Sequence, residues 1–272
     1  MTATWHQPYL NRLQHAPFQS LEDLFVLSTL SEWPNAAGLN QLRRQWGDEK
    51  HCPEFICQSE VNDESVYYEQ YIAAYQQIPT RPNSWHDLFN ALIWLQFPQT
   101  KQVLNQQHVA DITAFGLHPR TKRRNRLTHF DECGVILTIE QGSQGPFSQL
   151  CENLQRHQWH EVFVNQRGHW GHGIQAFIFG HANLESLLQP FIGLTGKWLA
   201  IEVAANFSQL TQRQQLHEVD SRLASQLEQD NLLAKDSALF PMPLLGIPGF
   251  WPANNQPEFY QNTAYFRPPR VT

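Results

Sequence analysis

The stretch Ser84-Trp-His-Asp-Leu-Phe-Asn-Ala-Leu-Ile-Trp-Leu-Gln-Phe-Pro-Gln-Thr-Lys, residues 84–101, decides the fold that the sequence predicts. Ser84 is a favoured N-cap, and apolar side chains recur behind it at helical spacing as far as Leu95. Pro98 is favoured in the first turn of a helix, so a second helix is expected to begin there and to run to about Phe115. The sequence therefore predicts a helical hairpin.

Outside this hairpin, apolar patterning predicts a mixture of strands and further helices. The alternation lacks a strict βαβ rhythm, any Gly-rich phosphate turn and any internal repeat, which favours an α+β fold with a mixed sheet in a single large domain. The predicted strands are Gly134–Glu140, Ile174–Phe179, Trp198–Ala204, Glu54–Ser59, Val66–Ala74 and Glu161–Val164, and the predicted helices are Leu21–Leu30, Gly38–Trp46, Phe147–Arg156, Ala182–Leu188 and Leu210–Gln229.

Composition shifts divide the single domain 1–272 into three parts. Residues 1–50 are expected to be helical, residues 51–237 form the α+β core, and residues 238–272 form an extended C-terminal wrap. Seven of the 17 prolines lie in the last 32 residues, interleaved with Phe, Trp and Tyr. A disordered tail would lack those aromatic rings, so we expect this segment to be ordered and its loss, in a chain ending at Ser237, to destabilise the whole protein.

The overall composition excludes several classes of protein. Of 272 residues, 41% are hydrophobic and only 16% are charged, and the formal net charge is −6. Such a chain is not disordered, and it has no overall attraction to nucleic acid or to an anionic membrane. The first residues do not resemble a signal peptide, and no apolar stretch approaches the roughly 20 residues that span a bilayer. We expect a cytoplasmic protein without a membrane partner, and the sequence leaves the oligomeric state open.

The predicted hairpin carries the densest group of polar side chains that could do chemistry. His86 and Asn90 lie one helical turn apart on the first helix, and Lys101, Asn105 and His108 share a stripe of the second. If the two stripes face each other, they provide groups for acid–base chemistry and for binding an anion.

Structural roles are an alternative for each of these residues. Asp87 follows Ser84 by three positions, as in a capping box, so it could serve only to begin the helix. His108 lies among apolar residues and could be a hydrogen-bonded core histidine. The whole hairpin cluster could equally be a polar core network.

A second group lies between Arg120 and Glu132. Five of the seven residues from Arg120 to Arg126 are basic, which predicts a basic loop, and Asp131 and Glu132 follow just before a predicted strand. The two carboxylates could bind a hard divalent ion or act as a general base, while Arg126 neutralises an anionic substrate. Alternatively they pair with the nearby arginines, and adjacent residues of a strand would point to opposite faces.

Histidines form a third group. His157-Gln-Trp-His160 and His169-Trp-Gly-His172 are not predicted to be helical, so their spacing does not favour a zinc site and surface histidines are expected. His181 ends a predicted strand one helical turn before Glu185, a geometry that suits an oriented imidazole or a simple helix start.

Four segments resemble a bacterial family that is catalogued as domain of unknown function 3025. The resemblance covers about residues 50–268; it implies a one-domain cytosolic bacterial protein and carries over no activity. The segments are residues 83–94 with Phe97-Pro98 and Lys101, Leu127-Thr-His-Phe-Asp-Glu132, Phe179-Gly-His-Ala182, and Phe240-Pro-Met-Pro-Leu244 with Ile247-Pro-Gly-Phe-Trp251.

Our leading hypothesis from the sequence is a hydrolase-type enzyme that acts on an anionic or phosphorylated small substrate. Its cofactor is left unknown, with a divalent metal ion considered and His86, Asp87 and Asp131 as candidate ligands. The alternative is a non-catalytic module that binds RNA or a protein through residues 120–126. The catalytic candidates are His86, Asp87 and Asp131, and the binding candidates are Asn90, Lys101, Asn105, His108, Arg126, Glu132 and His181.

Overall fold

A four-stranded mixed sheet lies at the centre of the protein, in a computed structural model that describes residues 5–46, 48–63, 65–141, 147–229, 232–234 and 239–269. The strands run in the order β4-β3-β5-β6, with β3 parallel to β5 and antiparallel to β4, and with β5 antiparallel to β6. A separate pair, β1 and β2, is parallel. The strands are β1 (Glu54–Cys57), β2 (Gln77–Thr80), β3 (Gly134–Glu140), β4 (Ile174–Ile178), β5 (Thr195–Val203) and β6 (Phe240–Pro243).

Helices surround the sheet and complete the α+β domain that the sequence predicts. The central strand β3, Gly-Val-Ile-Leu-Thr-Ile-Glu, is buried along nearly its whole length, because helices or strands cover both of its faces and edges. The helices are α1 (Gln7–Leu10), α2 (Ala16–Phe25), α3 (Ala36–Trp46), α4 (Tyr68–Tyr75), α5 (Trp85–Gln96), α6 (Pro98–Phe115), α7 (Lys122–Cys133), α8 (Phe147–Gln155), α9 (His181–Leu188) and α10 (Gln212–Gln229).

The two consecutive helices are confirmed, with α5 and α6 joined by the single residue Phe97. Each packs more extensively on other helices than on its neighbour, α5 on α9 and α6 on α10 and α4. The Ser84 side chain caps α5 by accepting a hydrogen bond from the backbone N–H of Asp87 at 3.2 Å, as the sequence predicts. At the start of α6, the buried carboxylate of Asp220 accepts the backbone N–H groups of Gln99 and Thr100. That side chain therefore satisfies donors that the first turn of a helix leaves open.

Three local predictions are wrong. Val66–Ala74 was expected to be extended, but α4 occupies most of it because Tyr71 and Ile72 bury one helical face; their β-forming tendency is overridden by packing. Glu161–Val164 lies in a π-helix instead of a strand. The basic stretch after Arg120 is not a loop, because Thr121 caps α7 and most of the basic residues lie in its first turns.

The C-terminal segment is ordered, although its expected extended conformation is correct only for β6. Short 3-10 helices follow at Leu244–Gly246, Pro252–Asn255 and Pro257–Gln261. The prolines at 252 and 257 stand in the first turns of these helices, where they need no N–H partner. The aromatic rings bury as expected, with Phe250, Tyr260, Tyr265 and Phe266 all in the core. Ser237, the proposed truncation point, lies outside the described residues.

Among the helices of the described residues, none combines the length and the apolar character that crossing a membrane requires.

Candidate functional site

The candidate site lies where the end of α7 meets the start of α9. In the antiparallel pair β3–β4, Val135 at the start of β3 is opposite Ile178 at the end of β4. Helix α7 runs directly into β3, and α9 follows β4 after two residues. The pairing therefore brings Glu132, in the last turn of α7, beside His181, in the first turn of α9.

A glycine makes this close approach possible. A Cβ atom on Gly180 would lie 2.5 Å from the Cα of Cys133 and 2.5 Å from the backbone oxygen of Glu132. The N–H of Gly180 donates to the backbone oxygen of Gly134 at 2.9 Å, and Asn183 donates to the backbone oxygen of Cys133 at 2.8 Å. Only a residue without a side chain fits here, so Gly180 fixes the distance between the two functional side chains.

Helix α5 packs on α9 and adds His86. The Nε2 atom of His86 lies 3.1 Å from the Nε2 atom of His181, and its Nδ1 atom lies 3.0 Å from a carboxylate oxygen of Glu185. His181 and Glu185 are one turn apart on α9, so one helix face holds both nitrogens of the His86 ring. The sequence suggested that Glu185 could orient the imidazole of His181, but in the structure Glu185 contacts Nδ1 of His86 instead.

Glu132 completes a group of three side chains. Its Oε2 atom lies 3.4 Å from Nε2 of His181 and 4.0 Å from Nε2 of His86. His181 is buried, whereas the side chains of His86 and Glu132 are 32% and 37% exposed. Burial raises the pKa of Glu132 and lowers the pKa of His181 to about 4. Both groups are therefore biased toward their uncharged forms.

These three residues line an open pocket with a cavity volume of about 490 Å³. Asn90, His108 and Asp131, which the sequence also predicts, line the same pocket. Lys101 and Asn105 do not; they line a small adjoining cavity behind Asp131. The hairpin thus brings together only part of the predicted set. The pocket lining also contains Gln58, Tyr67, Tyr68, Glu69, Pro79, Arg81, Asp87, Arg120 and Thr128.

Lys101 and Asp131 form a buried ion pair beside the pocket. The Nζ atom of Lys101 lies 2.5 Å from Asp131 and donates to the side-chain oxygen of Asn90 at 2.9 Å. Burial opposes ionisation of Asp131, but the charge and hydrogen bond of Lys101, together with the nearby histidines, hold the pKa of this carboxyl below its usual value. The Lys101 ammonium is therefore paired within the protein and not free to bind a ligand. The ionised Asp131 lies next to His181, with 3.9 Å between Oδ2 of Asp131 and Nδ1 of His181.

Asn105 and His108 contact the back of the pocket. Asn105 donates to the side-chain oxygen of Glu69 at 2.6 Å. Burial raises the pKa of Glu69 and lowers the pKa of His108 to about 4. His108 is buried, yet its Nδ1 atom has no hydrogen-bond partner, so the expectation of a fully satisfied core histidine is not met.

Asp87 is held by residues at and just before the start of α5. Its carboxylate accepts the backbone N–H of Arg81 at 2.6 Å and pairs with the Arg81 guanidinium at 2.7 Å. Burial opposes its ionisation, but these Arg81 contacts dominate and lower the pKa of Asp87. Its place in the structure matches the capping alternative, although the side chain also lines the pocket wall.

The basic segment does not form one surface. Arg124 is fully buried and donates to the backbone oxygen of Leu117 at 2.7 Å, while Arg126 donates to the backbone oxygens of Leu233 and Ala234. Arg120 alone of the five basic residues lines the pocket, where it donates to the hydroxyl of Tyr67 at 3.1 Å.

Asp131 and Glu132 lie in the last turn of a helix, so the expectation that they point to opposite faces of a strand is wrong. Consecutive residues of a helix differ by about 100° in direction, which lets both carboxylates reach His181. Sequence reasoning missed the role of Glu185 as a partner of His86. Pairing the predicted strands β3 and β4 as antiparallel neighbours would have brought Glu132 and His181 together.

A possible set of metal ligands lies at the same place. Within the described ranges, one set of three His, Cys, Asp or Glu side chains has its ligand atoms within 4.8 Å of one another, and it is His86, Glu132 and His181. Among the described residues, neither of the His-x-x-His pairs belongs to such a set. His160 and His172 are exposed, as the sequence predicts, whereas His157 and His169 are half-buried.

Fold and site together define an α+β protein with a histidine- and carboxylate-lined pocket at one end of its sheet. The family described as protein of unknown function (DUF3025) has a model that matches residues 53–270, and the chain belongs to this family. The resemblance seen in the sequence is thereby confirmed. No curated protein and no solved structure matches the chain.

Proposed function

We propose that this protein is a hydrolase-type enzyme that acts on a small anionic substrate in the pocket beside His86. One observation carries the proposal: the side chains of His86, His181 and Glu132 converge, and all three line an open pocket. Convergent titratable groups in a cavity of this size are the usual signature of an active site.

The cluster has the groups that activating a water molecule requires. The Glu185 carboxylate can accept a hydrogen bond from Nδ1–H of His86 at 3.0 Å, which fixes the tautomer with the lone pair on Nε2. A base oriented in this way can take a proton from water as the oxygen attacks the substrate. Glu132 is close enough to hold the same water or to return the proton to the leaving group.

Two arginines support the choice of an anionic substrate. Arg120 and Arg81 line the pocket and are both exposed to solvent. A guanidinium has five N–H donors, so Arg120 can hold the Tyr67 hydroxyl and a phosphate or carboxylate oxygen together. Arg120 takes the anion-binding role that the sequence gave to Arg126.

The alternative of an RNA- or protein-binding module receives less support. It needs the basic residues 120–126 on one accessible surface. However, Arg124 is buried, and Arg126 donates to the backbone oxygens of Leu233 and Ala234. Salt-dependent RNA binding that Arg120→Ala abolishes would favour the alternative over an enzyme.

Turnover assays test the proposed function. Phosphomonoesters, phosphodiesters and carboxylate esters are offered to the full-length protein with Mg²⁺, Mn²⁺ or Zn²⁺. We expect turnover on at least one anionic ester, and a loss of about 10²–10⁴-fold in His86→Ala, since a positioned acid–base group contributes that much. The exposed His172→Ala is the matched control and should retain full activity. Activity that survives in His86→Ala, or no turnover across the panel, would contradict the proposal.

A further inference from the structure

The side chains of His86, Glu132 and His181 are arranged as the protein ligands of a metal ion could be. We propose that one divalent transition-metal ion of the zinc class binds between Nε2 of His86, Nε2 of His181 and Oε2 of Glu132. Two imidazole nitrogens and one carboxylate oxygen are a donor set that Zn²⁺ and neighbouring transition metals accept, whereas Mg²⁺ prefers oxygen ligands and retained water.

Distances between the donor atoms fit a single ion. Two ligand atoms that are each about 2.1 Å from one metal lie roughly 3.0–3.4 Å apart in octahedral or tetrahedral geometry. The separations here are 3.1 Å between the two Nε2 atoms, 3.4 Å from His181 to Glu132, and 4.0 Å from His86 to Glu132. Only the last is long, and Glu132 is partly exposed, so a small rotation of its carboxylate would close it.

A carboxylate outside this set orients the ring of His86 toward the ion. Nδ1 of His86 lies 3.0 Å from Glu185, and Nδ1 of His181 lies 3.9 Å from Asp131. Metal-binding histidines usually donate their other ring N–H to a carboxylate, which fixes the tautomer and strengthens the ligand. Glu185 takes this part for His86, whereas Asp131 lies on the corresponding side of His181 but beyond hydrogen-bond distance.

A metal ion also resolves the hydrogen bonding of the two rings. If both Nδ1 atoms carry protons that face Glu185 and Asp131, two lone pairs meet at 3.1 Å beside the carboxylate of Glu132. If instead His181 donates from Nε2 to His86, its own Nδ1 becomes a lone pair that faces the Asp131 carboxylate. That Nδ1 is buried and has no hydrogen-bond partner. A cation between the Nε2 atoms removes the conflict, because each lone pair then has a positive partner.

The proposed metal site would keep an open coordination position that faces the pocket. His181 is buried, while His86 and Glu132 line the open cavity, so three protein ligands would cover only one side of the ion. An open fourth position distinguishes catalytic zinc sites from structural ones, which are closed by four protein ligands.

The ion also accounts for anion binding, and this step rests on the proposed function. Among the described residues, the pocket lining has four carboxyl groups, Glu69, Asp87, Asp131 and Glu132, against two guanidinium groups. Arg81 is paired with Asp87, and Asp131 is paired with Lys101, so Arg120 is left as the main positive group that an anionic substrate would meet there. A divalent cation adds positive charge there and can lower the pKa of a bound water to about 7. With the ion bound, Nε2 of His86 and Oε2 of Glu132 would serve as ligands, and the ion would replace His86 as the group that activates water.

Metal titration of the full-length, untagged protein tests the inference without reference to turnover. After chelator treatment, the protein is titrated with Zn²⁺, Co²⁺ and Mg²⁺, metal per chain is measured by mass spectrometry, and Co²⁺ binding is followed by visible absorption. We expect one Zn²⁺ or Co²⁺ per chain and no competition from Mg²⁺. His181→Ala and Glu132→Gln should weaken binding by about 100-fold or more, and the exposed His172→Ala should leave it unchanged.

Glu185→Gln keeps the test valid if a ligand variant fails to fold. Glu185 is exposed and is not a proposed ligand, so this variant should fold and should weaken Zn²⁺ binding by about 10–100-fold through its effect on His86. Absence of stoichiometric Zn²⁺ and Co²⁺ binding, or binding that is unchanged in His181→Ala and in Glu185→Gln, would overturn the inference. Bound metal without turnover would refute only the hydrolase proposal, and turnover without metal would refute only the metal site.

Discussion

The C-terminal segment and the pocket both bury polar side chains, but they satisfy them differently. In the C-terminal segment, the Asn254 amide donates to the backbone oxygens of Leu245 and Ile247, and the Tyr265 hydroxyl donates to Leu194. At the pocket, the Nδ1 atoms of His108 and His181 are buried without a partner.

Whether a buried polar group has hydrogen-bond partners helps to distinguish regions that stabilise the fold from regions that bind a ligand. A buried polar group with partners specifies one packed arrangement, whereas one without partners costs about 1–3 kcal/mol. Atoms of this kind also occur away from the pocket, for example Nε1 of Trp198, but those of His108 and His181 belong to side chains that line an open cavity. By this criterion, the C-terminal segment stabilises the fold and the pocket is where a ligand or ion is expected.

The largest expected effect is the loss of the C-terminal segment. A chain that ends at Leu239 lacks β6 and exposes the surface that Phe250, Tyr260, Tyr265 and Phe266 cover. Each buried ring stabilises the fold by about 1.5–3 kcal/mol, so their sum approaches the total stability of a domain, about 5–15 kcal/mol. We expect no cooperative thermal unfolding transition. A truncated chain that melts at the temperature of the full chain would show that the segment is not structural.

Gly180→Ala should lower stability and disturb the pocket together, because Gly180 lies where the sheet meets the site. The added methyl would collide with the backbone of Glu132 and Cys133, and we expect a loss of about 1–3 kcal/mol in unfolding free energy. Metal binding should fall as well, since His181 moves relative to Glu132. Gly168→Ala is the control; a Cβ there meets nothing within 4 Å, so stability and metal binding should not change. Equal effects of the two substitutions would contradict the role of the close approach.

The smallest effect is a pH dependence of stability. His108 is buried, and its pKa in the folded protein is about 4, below its ordinary value of 6.5. The unfolded chain therefore binds more protons between these values, so His108 costs no stability above pH 6.5 and destabilises the fold as the pH falls toward 4. Denaturant unfolding at pH 7 and pH 5 should show this loss, of about 1–2 kcal/mol, and His108→Leu should reduce it. An identical pH dependence in the variant would contradict this.

The sequence predicts most of the fold, because its strongest patterns are local. The cap at Ser84, the start of α6 at Pro98 and the apolar strand β3 each depend on a few adjacent residues, and all three are confirmed. Helix α7 was missed, because its many charges suggested a loop; burial of Leu127 and Phe130, three positions apart, defines a helical face instead.

The site is harder to predict, because its parts are distant in the chain. His86 and His181 are 95 positions apart, and their contact depends on the pairing of β3 with β4 and on the packing of α5 on α9. The sequence includes His86, Glu132 and His181 among its candidates. It gives no sign that Lys101 would be occupied by Asp131, or that Glu185 would hold His86, since both follow from tertiary packing.

A crystal structure of the full-length protein grown with Zn²⁺, with diffraction recorded on both sides of the zinc absorption edge, tests the central claim most directly. We predict one strong anomalous peak between His86, His181 and Glu132, about 2.0–2.1 Å from the two Nε2 atoms, with Glu185 still hydrogen-bonded to Nδ1 of His86. An empty position there, with the two imidazoles hydrogen-bonded to each other and zinc found only at other histidines, would contradict the account.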